Sequence, residues 1–74
     1  MKPTLVTGAA GFLGCRVVEA LLARGEPVRA LDVAEPVEPP SGPTEWIAAS
    51  VLDAAALTRA AAGTAAVIHC AANA

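Results

Sequence analysis

The chain has 74 residues and a mass of 7.3 kDa; 55% of its residues are hydrophobic, 16% are charged, and the formal net charge is −2 at pH 7. A chain of this length forms one domain at most. Because many of its hydrophobic positions are alanines, the predicted core is thin. The slight negative charge and the lack of a basic cluster argue against nucleic acid as a partner.

No stretch of the sequence is long and apolar enough to predict a membrane span, and no signal peptide is visible at the N-terminus. We therefore expect no membrane partner. Cys15 and Cys70 lie far apart, without a Cys-x-x-Cys pair or histidines at ligand spacing. Neither a disulfide scaffold nor a metal site is predicted, and we expect a cytoplasmic protein.

The hydrophobic pattern predicts four strands and two helices. Short apolar or β-branched runs predict the strands, and apolar residues recurring every three or four positions predict the first helix. Gly25 and Gly63 are expected to end the two helices, and Asp53 to cap the start of the second. In chain order the predicted elements are a strand over residues 4–7, a helix over 11–24, a strand over 28–31 with Asp32 at its end, a strand over 45–49, a helix over 54–62 and a strand over 65–70.

The connection over residues 33–44 contains four prolines, which predict a loop rather than a helix. The resulting order is β-α-β-loop-β-α-β. Near-continuous apolar strands that alternate with helices predict a parallel sheet covered on both faces, and right-handed crossovers give the strand order 3-2-1-4. We therefore expect an α/β protein with a partial doubly wound (Rossmann) fold, in which residues 1–74 form the N-terminal part of the domain.

Three glycines mark the turn from the first strand into the first helix. Gly8 permits a tight turn after the strand, Gly11 lets a diphosphate approach the backbone, and Gly14 lets the helix pack closely on the sheet. The free N–H groups at the start of the helix, near Gly11, Phe12 and Leu13, favour an anion through the helix dipole. The pattern predicts a dinucleotide site at this turn.

Asp32 lies 18 residues beyond Gly14, where a dinucleotide site places a carboxylate for the adenosine ribose hydroxyls. A 2′-phosphate would meet this carboxylate as a like charge, so NAD is favoured over NADP as the cofactor. Arg29 lies inside the strand, three positions before Asp32, and is therefore a poor candidate for a 2′-phosphate ligand. No Gly-Lys-Ser/Thr follows the glycines, which excludes a P-loop.

The sequence resembles the N-terminus of the extended short-chain dehydrogenase/reductases, the NAD-dependent epimerase/dehydratase family. The resemblance covers essentially the whole chain but only the first part of a typical family member. It implies that Gly8, Gly11, Phe12 and Leu13 line the pyrophosphate and that Asp32 binds the adenosine ribose. The residues that carry it are Thr7-Gly8-x-x-Gly11-x-x-Gly14, Asp32 and Val67-Ile68-His69-Cys70-Ala71-Ala72.

The resemblance also implies roles for residues after the third and fourth strands. Ser50 and Val51 fall where the family flanks adenine, although the family usually places Asp at the position of Ser50. A hydroxyl there meets the adenine amino group more weakly than a carboxylate does. Cys70, Ala71 and Ala72 match the small residues that run beside the diphosphate and ribose.

The family's reaction depends on a Tyr-x-x-x-Lys pair and a Ser or Thr, with the Tyr acting as general acid/base. This chain contains no Tyr, and its only Lys is Lys2, so we expect no catalytic residue within it. In a complete enzyme the resemblance implies a dinucleotide that accepts a hydride from a substrate hydroxyl carbon. The substrate is unknown; in the family it is a nucleotide sugar or a similar hydroxyl compound.

Three interpretations of the function follow. The first is the NAD-binding N-terminal portion of an epimerase, dehydratase or reductase that is catalytically incomplete as it stands. The second is a non-catalytic nucleotide-binding or sensor module, since this fold also supports binding without chemistry. The third is a non-functional truncation, because an apolar strand edge over residues 67–70 would make an isolated chain weakly stable or self-associating.

Three other residues are expected to have structural roles. His69 is interpreted as a satisfied histidine at the end of a buried strand rather than a base. Cys15 is interpreted as a small filler rather than an activated thiol. Trp46 fits either the core or a cover over the proline-rich loop, and the sequence does not decide between them.

Overall fold

The computed structural model of the chain describes residues 1–34 and 42–70. Within these ranges the strands and helices follow one another in the predicted order, and no helix is long and apolar enough to cross a membrane. The part of the proline-rich connection over residues 35–41 lies outside the described residues. The elements are β1 Thr4–Thr7, α1 Phe12–Ala23, β2 Val28–Asp32, β3 Thr44–Ala48, α2 Ala54–Ala61 and β4 Ala66–His69.

The strands form one parallel sheet in the order β3-β2-β1-β4, which confirms the predicted partial Rossmann fold. β1 lies between two neighbours, with Thr4 paired to Val28 of β2 and to Ala66 of β4. All four residues of β1 are buried, as expected for a strand covered on both faces. The carboxyl ends of β1, β2 and β4 meet at one edge of the sheet.

The two helices cover opposite faces of the sheet, because successive side chains along each strand point to opposite sides. The core on the α1 side contains Val6, Val18 and Ala30, and Trp46 packs against it from β3. Trp46 therefore belongs to the core. The core on the α2 side is smaller and is built from Leu5, Leu31, Ala60 and the partly buried residues Ile47, Ala49, Val51, Leu57 and Ala61.

A glycine follows the C-terminal end of each helix, as the sequence predicts. Gly25 has a φ of 77° and donates its N–H to the Leu22 carbonyl at 2.9 Å, and the Glu26 N–H donates to the Leu21 carbonyl at 3.1 Å. This pair of bonds is a Schellman motif, in which glycine supplies the left-handed residue. Gly63 also has a positive φ, of 73°, but it follows an extended residue, Ala62, and lies in a turn in which the Thr64 N–H donates to the Ala61 carbonyl at 3.2 Å.

β4 is not the buried strand that its apolar sequence predicts. Ala66, Val67 and His69 are exposed, Val67 to 51%. β1 is its one strand neighbour in the described part of the chain, and α2 does not reach over its open face. Only Ile68, on the α1 side, packs partly against a core. Among residues 1–34 and 42–70, the sheet is thus fully covered only over its two central strands, and His69 is not a core residue.

The open edge at β4 predicts that a charge at Val67 reduces self-association of the 74-residue chain. An exposed apolar strand edge can pair with a second copy, and a lysine on it opposes that pairing by charge repulsion. We expect Val67→Lys to raise the monomer fraction in sedimentation velocity. Leu52→Lys is the matched control, because Leu52 is 88% exposed but lies outside the sheet. An equal effect of the two substitutions would contradict pairing through β4.

Candidate functional site

The glycine loop, residues 8–14, turns the chain from the end of β1 into α1. Gly8 has a φ of 67°, a left-handed conformation that residues with a side chain rarely adopt. The Gly8 carbonyl accepts the Gly11 N–H at 3.1 Å, and the Leu31 carbonyl accepts the Ala9 N–H at 3.3 Å. The loop is therefore closed on itself and attached to β2.

Gly14 lies in the first turn of α1, directly against the glycine loop. A Cβ at this position would overlap the Gly8 carbonyl oxygen and lie 2.7 Å from the Gly8 carbonyl carbon and 2.9 Å from the Ala9 Cα. Backbone atoms cannot move aside as the end of a side chain can. Only glycine therefore allows the helix to start this close to the loop. Gly11 is less tightly packed, since its Cβ would lie 3.3 Å from the same oxygen.

The N-terminus of α1 has no side-chain cap. Gly11 occupies the N-cap position, and the first turn contains no acidic residue. The N–H groups of Phe12, Leu13 and Gly14 have no hydrogen-bond acceptor among residues 1–34 and 42–70. These donors lie at the positive end of the helix dipole, which is the arrangement that binds anions.

The second helix provides an internal comparison. The Asp53 side chain accepts the Ala56 N–H at 3.0 Å and caps α2, as the sequence predicts. That carboxylate both occupies a donor and places a negative charge at the helix end. Of the two helices described, α1 alone therefore starts with neither a side-chain cap nor a negative charge beside its free donors.

The Asp32 carboxylate extends from the end of β2 to the glycine loop. Its Oδ2 accepts the Ala10 N–H at 2.9 Å, and its Oδ1 accepts the Val33 N–H at 2.7 Å. Two bonds fix the orientation of the carboxylate, and each oxygen keeps a further lone pair for a ligand hydroxyl. The Ala10 contact has no signature in the sequence, because a backbone N–H is present at almost every position.

A cavity of about 390 Å³ lies between the glycine loop, the start of α1 and the end of β2. Every residue that lines it belongs to the dinucleotide site that the sequence predicts. The Asp32 carboxylate and the free N–H groups of α1 therefore face a common space. The lining residues are Gly8, Gly11, Phe12, Leu13, Gly14, Asp32 and Cys70.

Two predicted site residues that the structure describes, Ser50 and Val51, do not line this cavity. The Ser50 Oγ accepts the Leu52 N–H at 3.1 Å and so stabilises the turn after β3. Val51 packs on the core of the α2 side. Ala71 and Ala72 lie outside the described residues.

A side-chain contact that the sequence analysis missed joins the ends of β1 and β4. The Thr7 Oγ1 is hydrogen-bonded to the His69 Nδ1 at 2.6 Å, and Thr7 is fully buried. The two residues are register partners and immediately precede Gly8 and Cys70, which line the cavity. His69 is thus hydrogen-bonded, as expected, although it is exposed. This contact could have been predicted only from the parallel pairing of β1 and β4, which places Thr7 beside His69.

The family model described as the NAD dependent epimerase/dehydratase family matches residues 4–74. The chain belongs to this family. Its fold and its glycine loop at the first β-α turn are those that the resemblance implied, and structural neighbours in the short-chain dehydrogenase/reductase superfamily agree with the assignment.

Two solved structures and one curated relative illustrate the similarity. A short-chain dehydrogenase/reductase superfamily protein from Agrobacterium tumefaciens with bound NAD is 37% identical over 96% of this chain, with a TM-score of 0.81. A UDP-glucose 4-epimerase from Thermotoga maritima with UDP-glucose is 32% identical over 97% of the chain, also with a TM-score of 0.81. Sterol demethylase protein B from Methylococcus capsulatus is 74% identical over 27 residues, or 36% of the chain.

The chain is much shorter than these relatives. It covers 20% of the Agrobacterium protein and 25% of the Thermotoga epimerase, and the matched segment covers 8% of the Methylococcus protein. The similarity therefore concerns the part of the family fold that carries the glycine loop.

The close contact at Gly14 predicts that Gly14→Ala is far more destabilising than Gly11→Ala. The new methyl group of Gly14→Ala must displace backbone, so we expect a loss of about 3 kcal/mol of unfolding free energy, the upper range for overpacking. Gly11→Ala needs only a small shift and is expected to cost about 1 kcal/mol. Urea denaturation measures both values. Equal losses would show that the two positions are packed alike, against the geometry described.

Proposed function

We propose that this chain binds NAD in the cavity between the glycine loop and Asp32. The free N–H groups of Phe12, Leu13 and Gly14 hold the pyrophosphate, and Gly8 and Gly11 let it approach the backbone. The single observation that carries the proposal is that a fixed carboxylate and an uncapped helix N-terminus line one cavity. A dinucleotide carries both complementary groups, a pyrophosphate and a ribose diol, at a fixed separation.

The residues present fit this cofactor. A Cβ at position 14 would keep the helix away from the loop, and a Cβ at position 11 would project beside the Gly8 carbonyl, so the two glycines leave the cradle open. Asp32 is already oriented by Ala10 and Val33 before any ligand arrives. Little side-chain entropy is therefore lost when the carboxylate accepts a ribose hydroxyl.

The choice of NAD over NADP rests on charge. A 2′-phosphate at the ribose position would lie beside the Asp32 carboxylate, and like charges at this distance repel. The nearest arginine in sequence, Arg29, does not relieve this repulsion, because its guanidinium is bonded to Glu45, Ala60 and Ala62 on the α2 side of the sheet. We therefore assign NAD as the cofactor.

The residues proposed to contact the adenine of NAD are inferred from the family resemblance. Ser50 and Val51, in the turn after β3, flank adenine, with the Ser50 hydroxyl in place of the carboxylate usual in the family. Because Ser50 already accepts the Leu52 N–H, its contribution to adenine binding is small. Cys70, Ala71 and Ala72 run beside the diphosphate and ribose.

We further propose that this chain is the N-terminal portion of an NAD-dependent epimerase, dehydratase or reductase. The bound dinucleotide supplies hydride-transfer chemistry, and the residues of this chain bind and orient it. The general acid/base, a Tyr in this family, is supplied by residues beyond Ala74, since residues 1–74 contain no Tyr. The substrate class stays open between nucleotide sugars and other hydroxyl compounds, as the relatives named above are themselves diverse.

A second candidate function is a nucleotide-binding module without chemistry, favoured by the lack of Tyr and of a second Lys within the 74 residues. Translation of the coding DNA beyond the Ala74 codon separates the two. We expect a Tyr-x-x-x-Lys sequence within about 150 further residues, one domain length. A reading frame that ends without it would favour the binding module or a non-functional truncation.

Calorimetric titration of the chain with NAD and NADP tests the cofactor assignment. We expect NAD to bind more tightly than NADP, and Asp32→Asn to weaken NAD binding about tenfold, because hydrogen bonds to a charged acceptor are lost. The same substitution should narrow the difference between NAD and NADP, because it removes the repulsion of the 2′-phosphate.

Asp53→Asn is the matched control for Asp32→Asn. It removes the same charge at the N-cap of α2, outside the cavity, and Asn caps helices about as well as Asp. NAD affinity should be unchanged in this variant. Equal losses in the two variants would contradict a ribose contact by Asp32.

A further inference from the structure

A second cavity, of about 340 Å³, lies on the α2 side of the sheet between α2 and the strands β2 and β3. Its polar residues come from the second positions of the two strands and from the last turn of α2, at the amino end of the sheet. The dinucleotide cavity lies at the carboxyl end and shares no lining residue with it. The second cavity is lined by Arg29, Glu45, Ile47, Ala56, Arg59, Ala60 and Ala62.

Arg29 is held in one orientation inside this cavity. Its Nη1 donates to the carbonyl oxygens of Ala60 at 2.8 Å and Ala62 at 2.7 Å, and its Nε donates to the Glu45 Oε1 at 3.1 Å. Its side chain is only 20% exposed, whereas that of Glu45 is 65% exposed. The Nη2 has no acceptor among the described residues. A fixed guanidinium therefore keeps free donors beside the cavity.

The opposite wall of the cavity is one face of α2. Ala56, Arg59 and Ala60 are spaced three and four residues apart, which brings them to the same side of the helix. Arg59 has no hydrogen-bond or ion-pair partner in the part of the chain that the structure describes. The other lining residues, Ile47 and the alanines, form the apolar floor of the cavity.

The charges of the described residues that line the cavity do not balance. Among them are two guanidinium groups and one carboxylate, and that carboxylate is already paired with Arg29. A ligand with a single negative charge restores neutrality. A planar carboxylate matches the edge of a guanidinium group, and an apolar body attached to it covers Ile47 and the alanines.

We propose that this cavity binds a small organic carboxylate with an apolar body. The carboxylate lies between the Nη2 of Arg29 and the guanidinium of Arg59, and the body rests on the floor. Arg29 also joins the C-terminal end of α2 to β2 and β3 through its hydrogen bonds. A ligand bound to Arg29 therefore contacts the residue that holds this end of the helix on the sheet. The site is independent of the proposed function, because it uses neither the glycine loop nor Asp32.

Titration of the ¹⁵N-labelled 74-residue chain with benzoate tests the proposal by NMR. We expect saturable shifts of the Nε–Hε signals of Arg29 and Arg59 and of the Ala60 amide. Benzyl alcohol has the same apolar body without the charge and should cause no saturable shift of the arginine signals. Inorganic phosphate has the charge without the body and should bind more weakly than benzoate.

Two arginine variants distinguish a site from general attraction to positive charge. Arg59→Gln should weaken benzoate binding about fivefold, the upper range for one exposed ion pair. Arg24→Gln removes an equal charge at the end of α1, where Arg24 is paired with Glu26 outside the cavity, and should leave the affinity unchanged. Equal affinities in both variants, binding of benzyl alcohol as tight as that of benzoate, or shifts that never saturate would overturn the proposal.

Discussion

The hydrogen bond from the Ala10 N–H to the Asp32 carboxylate joins the two parts of the fold on which everything else at the site depends. Ala10 lies in the glycine loop after β1, and Asp32 ends β2, so the bond holds the carboxylate beside the start of α1. The bond forms only because Gly8 turns the chain tightly and Gly14 lets the helix begin against the loop. A sheet edge, a helix end and one acid thus line a single cavity, which lies where ligands of such sheets generally bind, at the carboxyl ends of the strands.

The two helices differ in how their ends are bonded. α1 starts with unoccupied donors and no cap, which leaves its positive end available to an anion, whereas α2 is capped by Asp53 at its start and bound by Arg29 at its end. The missing cap at the start of α1 makes this helix end less stable than a capped one. It lies at the place where the proposed function needs free N–H donors. In α2, by contrast, the Asp53 carboxylate accepts the Ala56 N–H and adds a negative charge at the start of the helix. This difference, together with the glycine pattern, supports the proposal that the dinucleotide binds at the start of α1.

Much of the fold was accessible from the sequence because it depends on local patterns: β-branched runs, glycines after helices, and the handedness of crossovers. β3 begins one residue earlier than predicted, at Thr44, because the ladder to β2 already starts with the Val28 N–H donating to the Pro43 carbonyl. The exposure of β4 was predicted wrongly, since burial depends on which elements lie beside a strand and not on its own residues. The contact between Ala10 and Asp32 was inaccessible for a similar reason: it joins a backbone group to a side chain across 22 positions.

The most direct test of the account is to map NAD binding on the backbone amides of the chain by NMR. The account predicts saturable shifts for Ala10, Gly11, Phe12 and Leu13 in the glycine loop and for Val33 beside Asp32, because their N–H groups lie next to the pyrophosphate and the ribose. The amides of α2 should shift little. Saturable binding that leaves these five amides unmoved, or no saturable binding in a folded chain, would contradict the claim that the glycine loop and Asp32 form one dinucleotide site.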